Sequence, residues 1–167
     1  QVTSKVGIET IMGLSMFTLT VVLGLFLVVV VYSMILLFFA KANLKNFFSD
    51  AKDVLLLAFS MGSSVAVMPL SLKTAEEKMG INPSVSRFII PVGVSINMDG
   101  TAVFQAIATL FLAQVYGLEL DTPTIMIVII TTILASIGTP SAPGAGVIVL
   151  GSVLGTIGIP VTAIALI

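Results

Sequence analysis

Asn97, Asp99 and Thr101, separated by Met98 and Gly100, put an amide, a carboxylate and a hydroxyl in the middle of an apolar run. From Phe88 to Val115 the only formal charge is Asp99. Insertion scales set the cost of a carboxylate at the centre of a membrane helix at roughly 2.5 to 3.5 kcal/mol, so it persists only against protein, a cation or water. The chain offers no obvious cationic side chain at that depth. Gly100 follows directly, and its permissive backbone lets a helix open and turn carbonyls outward. Unwound backbone at membrane depth is tolerated where it is buried in protein or lines a cavity. The stretch Ser95–Thr101 is therefore expected to form a cation site from Asp99, Asn97 and freed carbonyls.

The elements that must position this site belong to a membrane protein. Of 167 residues, 57% are hydrophobic and 9% charged, against about a quarter charged in ordinary soluble domains. The mean hydropathy is +1.21. A net charge of −1 argues against nucleic acid or an anionic membrane surface as partner, because both call for clustered Lys and Arg. With neither Cys nor His in the chain, disulfides, thiol catalysis and the commonest transition-metal ligands are excluded. Any bound ion should be hard and oxygen-ligated, as Na⁺ is. Gln1 is not an initiator, residues 1–7 lack a signal-peptide pattern, and Pro160 opens an apolar segment that stops at Ile167. The chain reads as an interior piece of a longer protein.

Ile8 to Ala40 is an apolar run of 33 residues interrupted by Glu9 and a few hydroxyls. At about 1.5 Å per residue it outruns a 30 Å hydrocarbon core and predicts one tilted, full-length helix. Ser49 or Asp50 is expected to cap the next helix. The run Val54–Leu72 is broken at Gly62-Ser63-Ser64. Arms of about 12 to 15 residues are too short to cross, which predicts a re-entrant hairpin with Ser63 and Ser64 at its tip. Free N–H groups at the helix start there suit an anionic ligand group. Lys73 and Glu77 stand at i,i+4 on a solvated helix end closed by Gly80. Asn82-Pro83 then starts the helix that carries the central motif.

No charge occurs from Thr122 to Ile167, and the tract Ile137–Gly146 holds Pro140, Pro143, Gly138, Gly144 and Gly146. Such a tract vetoes a continuous helix. It predicts a second re-entrant hairpin with arms near 123–137 and 146–157. If the first hairpin returns to its own side, six of the seven cations (Lys41, Lys45, Lys52, Lys73, Lys78 and Arg87) share one face, as the positive-inside rule requires. The two tips then point inward from opposite sides. The expected fold is an all-α membrane protein: a full-length helix, two re-entrant helical hairpins of opposite orientation, and one helix unwound at Asn97–Thr101. Inverted broken helices meeting near the midplane are common among secondary transporters.

Asn97-Met98-Asp99-Gly100-Thr101 resembles the seventh-helix signature of the glutamate transporter homologues, the dicarboxylate/amino acid:cation symporters. Ser136-Ile137-Gly138-Thr139 with Pro143-Gly144-Ala145-Gly146 is similar to the tip of that family's second hairpin. The resemblance covers nearly the whole chain. It implies that residues 1–167 are part of one transport domain, without the scaffold helices and the final helix. It implies sodium-coupled symport of an acidic amino acid or dicarboxylate by an elevator-type motion, in a homotrimer embedded as a multi-pass protein in the plasma (inner) membrane. It implies Na⁺ as the co-transported ion, held by Asn97 and Asp99, by the Gly93 and Asn97 carbonyls, and by Ser95, Ser136, Ile137 and Thr139 when the second hairpin closes. Ser63, Ser64, Thr101, Ala142 and Gly146 would contact the anionic substrate. The first hairpin departs from the family pattern at Val65-Ala66-Val67, where two hydroxyls are lost.

A channel whose re-entrant loops form a selectivity filter is the alternative. One inverted motif per hairpin favours a gated midplane site over a symmetric pore. An enzyme is not expected, because no His, Cys or second membrane carboxylate stands near Asp99 to share acid–base work.

Overall fold

The computed structural model describes residues 2–167, with side chains from Met12 onward. Gln1 and the side chain of Glu9 lie outside the described residues. The chain is all helical, with no strand among the described residues. Helix α1 spans Val2–Phe38, and its portion Met12–Phe38 has a mean hydropathy of 3.0. Helix α2 spans Leu44–Met61 and α3 spans Ser64–Lys73, continuing into a π-helical turn at Thr74–Lys78. Helices α4 (Pro83–Ile96) and α5 (Asp99–Val115) follow, then α6 (Thr122–Ile137), α7 (Ala145–Thr156) and a 3-10 turn at Val161–Leu166.

Among the described residues, two segments are long and apolar enough to cross a membrane: Met12–Phe38, and Pro83–Val115 taken as one 33-residue unit. The 16 residues of α6 and the 12 of α7 reach only about 24 and 18 Å at 1.5 Å per residue, short of a 30 Å hydrocarbon core.

Helix boundaries follow local chemistry. The α2 helix begins earlier than the expected Ser49 or Asp50 cap, because the Asn43 side chain accepts from the N–H groups of Lys45 and Asn46 at 3.0 and 3.3 Å. It ends at Gly62, whose φ of +57° is left-handed and suits glycine. Ser63 caps α3 by accepting from Ala66 N–H at 3.4 Å. The π-helical turn closes through Met79 N–H to the Thr74 carbonyl, with Gly80 at φ +67° beyond it. Asn82 caps α4 with Pro83 at its first position, and Asp121 caps α6.

Helix α5 is the centre, packing against α1, α6 and α7, whereas α3 packs on α2 and α4. The core joins Ala108, Leu112 and Ala113 of α5 to Leu150 and Leu154 of α7 and to Ile159 and Ala163. Phe17 of α1 stacks on Phe111 at 5.1 Å and meets Phe104 edge-on at 6.4 Å. At Gly24 the approach is close: a Cβ there would stand 2.8 Å from Val103 Cγ1. Small residues at such crossings let membrane helices pack backbone to backbone. The outer face of α1, with Val22, Leu23 and Phe26 more than half exposed, is apolar surface that lipid or further helices can cover and water cannot accommodate.

Candidate functional site: a cleft at the break between α4 and α5

The helical ladder stops at Ile96 and resumes at Asp99. Asn97 (φ −82°, ψ 78°) and Met98 (φ −108°, ψ 37°) leave the helical region. Met98 N–H turns to the Ile96 carbonyl at 3.0 Å instead of reaching back to Val94. Asp99 is the first residue of α5, where the helix dipole and free N–H groups favour a negative side chain.

A cleft of about 450 Å³ opens beside this break. Its lining includes Gly93, Asn97 and Asp99 from the broken segment and Ser136 and Ile137 from the end of α6, within apolar walls from Phe88, Ile89 and Ile133. Five of the seven expected ion-binding residues therefore share one cavity. Ser95 and Thr139 are not among its lining residues. Their hydroxyls, like that of Ser136, donate to carbonyls of their own helical turn: Ser95 to Pro91 at 3.1 Å, Thr139 to Ala135 at 2.8 Å, Ser136 to Ile133 at 2.8 Å.

The expected substrate residues gather around the two tips. Ser63 Oγ donates to the Ser141 carbonyl at 2.7 Å, so the α2–α3 tip touches the α6–α7 tip. Thr101 lies against Gly146, where a Cβ would stand 3.2 Å from Thr101 Cγ2. Ser64 and Ala142 are exposed on their respective tips. None of these five residues lines the Asp99 cleft.

Two residues given no role by the sequence reading complete the geometry. Tyr32, on α1, donates its hydroxyl to Asn97 Oδ1 at 2.9 Å and contacts Asp99 Oδ2. It is the partner that Asp99 finds on α1. Its one available signal was a phenol hydroxyl well inside an apolar helix, in a chain with two tyrosines. Gln105, fully buried one turn after Thr101, donates its amide to the Gly146 carbonyl at 3.1 Å and so ties α7 to α5.

The donor set is one carboxylate, one amide and backbone oxygens. Among the described residues no three His, Cys, Asp or Glu side chains converge. Hard oxygen donors with a single formal charge fit a weakly held alkali cation rather than a transition metal. Away from the cleft, Arg87 forms a two-pronged pair with Glu76 at 3.0 and 3.1 Å, and Ser86 adds a bond to the same carboxylate at 2.8 Å. The Arg87 and Ser86 bonds hold the Glu76 carboxyl below its ordinary range.

Beside this broken apolar helix, with one carboxylate at the break and the α6–α7 tip bonded to it, stands a sequence match: the profile of the sodium:dicarboxylate symporter family covers residues 1–167. The chain belongs to that family. Among its relatives, the human excitatory amino acid transporter 1 is 38% identical over 155 residues, covering 92% of this chain and 29% of its own length. An excitatory amino acid transporter of Caenorhabditis elegans is 37% identical over 164 residues (95% and 32%). The rat neutral amino acid transporter B(0) is 39% identical over 137 residues (82% and 25%). The chain thus spans under a third of the length of each of these relatives. The family is one of membrane transporters rather than enzymes.

Proposed function

We propose that this chain is most of the substrate- and ion-binding core of a sodium-coupled symporter that carries an acidic amino acid or a dicarboxylate. The observation that carries the reading is the cleft in which Asp99, Asn97, Gly93, Ser136 and Ile137 converge at a helix break. Sodium binds the Asp99 carboxylate, the Asn97 amide oxygen and the carbonyls of Gly93 and Asn97. Ser95, Ser136, Ile137 and Thr139 form a further sodium site, mainly through backbone oxygens, because three of these four have hydroxyls already committed to neighbouring carbonyls. Ser63, Ser64, Thr101, Ala142 and Gly146 contact the substrate.

The α2–α3 and α6–α7 pairs act as re-entrant hairpins entering from opposite faces, and the α6–α7 pair is the gate. Coupling arises because sodium and substrate favour the same closed position of this gate. Residues 1–167 belong to one mobile domain that moves elevator-fashion against scaffold helices in a homotrimer of the plasma membrane.

Uptake of radiolabelled L-aspartate into vesicles containing the full-length transporter tests the reading. An inward Na⁺ gradient should drive accumulation, succinate or L-glutamate should compete, and L-alanine should not. Accumulation indifferent to Na⁺ contradicts the symport. Competition by L-alanine but not by the acids reassigns the substrate to a neutral amino acid, as the name of the rat relative suggests and as the loss of hydroxyls at Val65 and Val67 permits. Ion conductance in the absence of any substrate, far faster than a carrier turns over, supports the channel alternative.

A further inference from the structure

Between α1 and α2 the chain reverses direction, and a lysine occupies the point where the backbone is left-handed. Lys41, at φ +49°, is the one non-glycine residue with positive φ among the described residues. Ala42 N–H closes back on the Leu36 carbonyl at 3.1 Å, a helix ending that glycine fits best, and this holds Lys41 over the last turn of α1. Lys45 stands in the first turn of α2, where the helix dipole disfavours a cation. Both lysines are exposed. Unlike Lys73, Lys78 and Arg87, neither makes an ion pair among the described residues. Asp50, the nearest acid along α2, is turned about 140° round the helix from Lys45, and Asp53 is paired with Lys78 at 2.9 Å.

Below these lysines a crevice of about 320 Å³ separates α1 from α2. Val29, Tyr32, Ile35 and Leu36 of α1 and Phe47 and Phe48 of α2 line it, and its walls are apolar. From Val29 to Leu36 it follows α1 for about 10 Å, and it stops short of Phe38, where the membrane-crossing segment ends. Phe48 lies three residues after Lys45, on the same face of α2. An apolar slot that runs into the membrane under two unpaired cations matches one phospholipid, acyl chain below and anionic headgroup above. One turn of a helix about 10 Å across fills roughly 420 Å³, more than the crevice holds, so the slot suits an acyl chain rather than a further helix.

We propose that the α1–α2 crevice, with Lys41 and Lys45 at its mouth, binds an anionic phospholipid of the leaflet on which the cations of the chain collect. A net charge of −1 gives the chain no broad hold on an anionic surface, whereas two cations concentrated at one slot act within a Debye length of a single headgroup. The proposal requires α1 to cross the membrane and is independent of the symport reading.

The test uses the full-length protein in phosphatidylcholine vesicles that carry a trace of phosphatidylglycerol with a photoreactive diazirine in its acyl chain. Cross-links read by mass spectrometry should fall on the peptides holding Val29–Leu36 and Phe47–Phe48. Excess unlabelled phosphatidylglycerol should suppress them; inorganic phosphate should not. Each cation near anionic lipid contributes about a fivefold factor, so the Lys41→Gly, Lys45→Gln double variant should need at least about tenfold more probe for the same labelling. Glycine suits the left-handed backbone and glutamine removes a charge opposed to the helix dipole, so the thermal midpoint of this variant should be no lower than that of wild type. Replacing both lysines by arginine should preserve the labelling. A diazirine phosphatidylcholine that labels the crevice equally well overturns the proposal, as does a double variant that labels like wild type. A crevice that no lipid probe reaches, being filled by another part of the full-length protein, or a label displaced by inorganic phosphate, overturns it too. No readout involves transport, so uptake indifferent to Na⁺ would leave the lipid site standing.

Discussion

Tyr32 fixes the orientation of two side-chain oxygens that a cation at the break would share, because one phenol hydroxyl reaches both Asn97 and Asp99. Replacing it by phenylalanine keeps the ring and removes that restraint. Tyr32→Phe is expected to raise half-saturating Na⁺ by about three- to tenfold while maximal uptake at high Na⁺ stays within about twofold; a sodium titration of uptake checks both. Asp99 and Asn97 were legible in the sequence because a lone carboxylate in an apolar run demands an explanation. Tyr32 was not, since its partners lie 65 and 67 residues away and a tyrosine in an apolar helix is unremarkable. Gln105 escaped for the same reason: its hydrogen bond to Gly146 spans 41 residues.

At the scale of elements, punctuation in the sequence marked most helix ends. Gly62, Asn82-Pro83 and the tract from Gly138 to Gly144 all coincide with boundaries. The start of α2 does not fall at Ser49 or Asp50, because Asn43 caps the helix six residues before Ser49, and Phe47 and Phe48 pack as an edge-on pair at 5.4 Å. Helix crossings are invisible to such punctuation. At Gly24 a larger side chain must push into Val103 and Ile107, so Gly24→Leu should destabilise by about 1–3 kcal/mol, read as a lower thermal midpoint of the purified full-length protein.

The link between the α3 turn and α4 carries its own pH dependence. Glu76 has a depressed folded-state pKa, so its contribution is complete above the ordinary value of 4.5 and is lost as pH falls through the lower folded value. Thermal stability of the wild type should therefore drop on acidification below about pH 4.5, and Glu76→Gln should be less stable at neutral pH and show a shallower acid decline. A variant that follows the wild-type pH curve would remove this pair from the account.

For the whole molecule, the proposed re-entrant topology is argued from charge. Lys41, Lys45, Lys52, Lys73, Lys78 and Arg87 fall on one side only if the α2–α3 pair turns back. At 16 and 12 residues, α6 and α7 are each shorter than a membrane crossing. How closely the two tips approach was beyond the sequence, because the Ser63–Ser141–Val94 chain of bonds joins three segments separated by 78 and 47 residues. The account turns on Asp99 carrying the cation whose binding makes substrate binding possible. Equilibrium binding of L-aspartate to the purified full-length transporter, titrated with Na⁺ for wild type and Asp99→Asn, tests this most directly. Wild-type affinity should rise steeply with Na⁺, whereas Asp99→Asn should lose most of that dependence, a loss of at least tenfold in affinity at a fixed intermediate Na⁺. An Asp99→Asn protein whose Na⁺ dependence matches wild type would contradict the central claim.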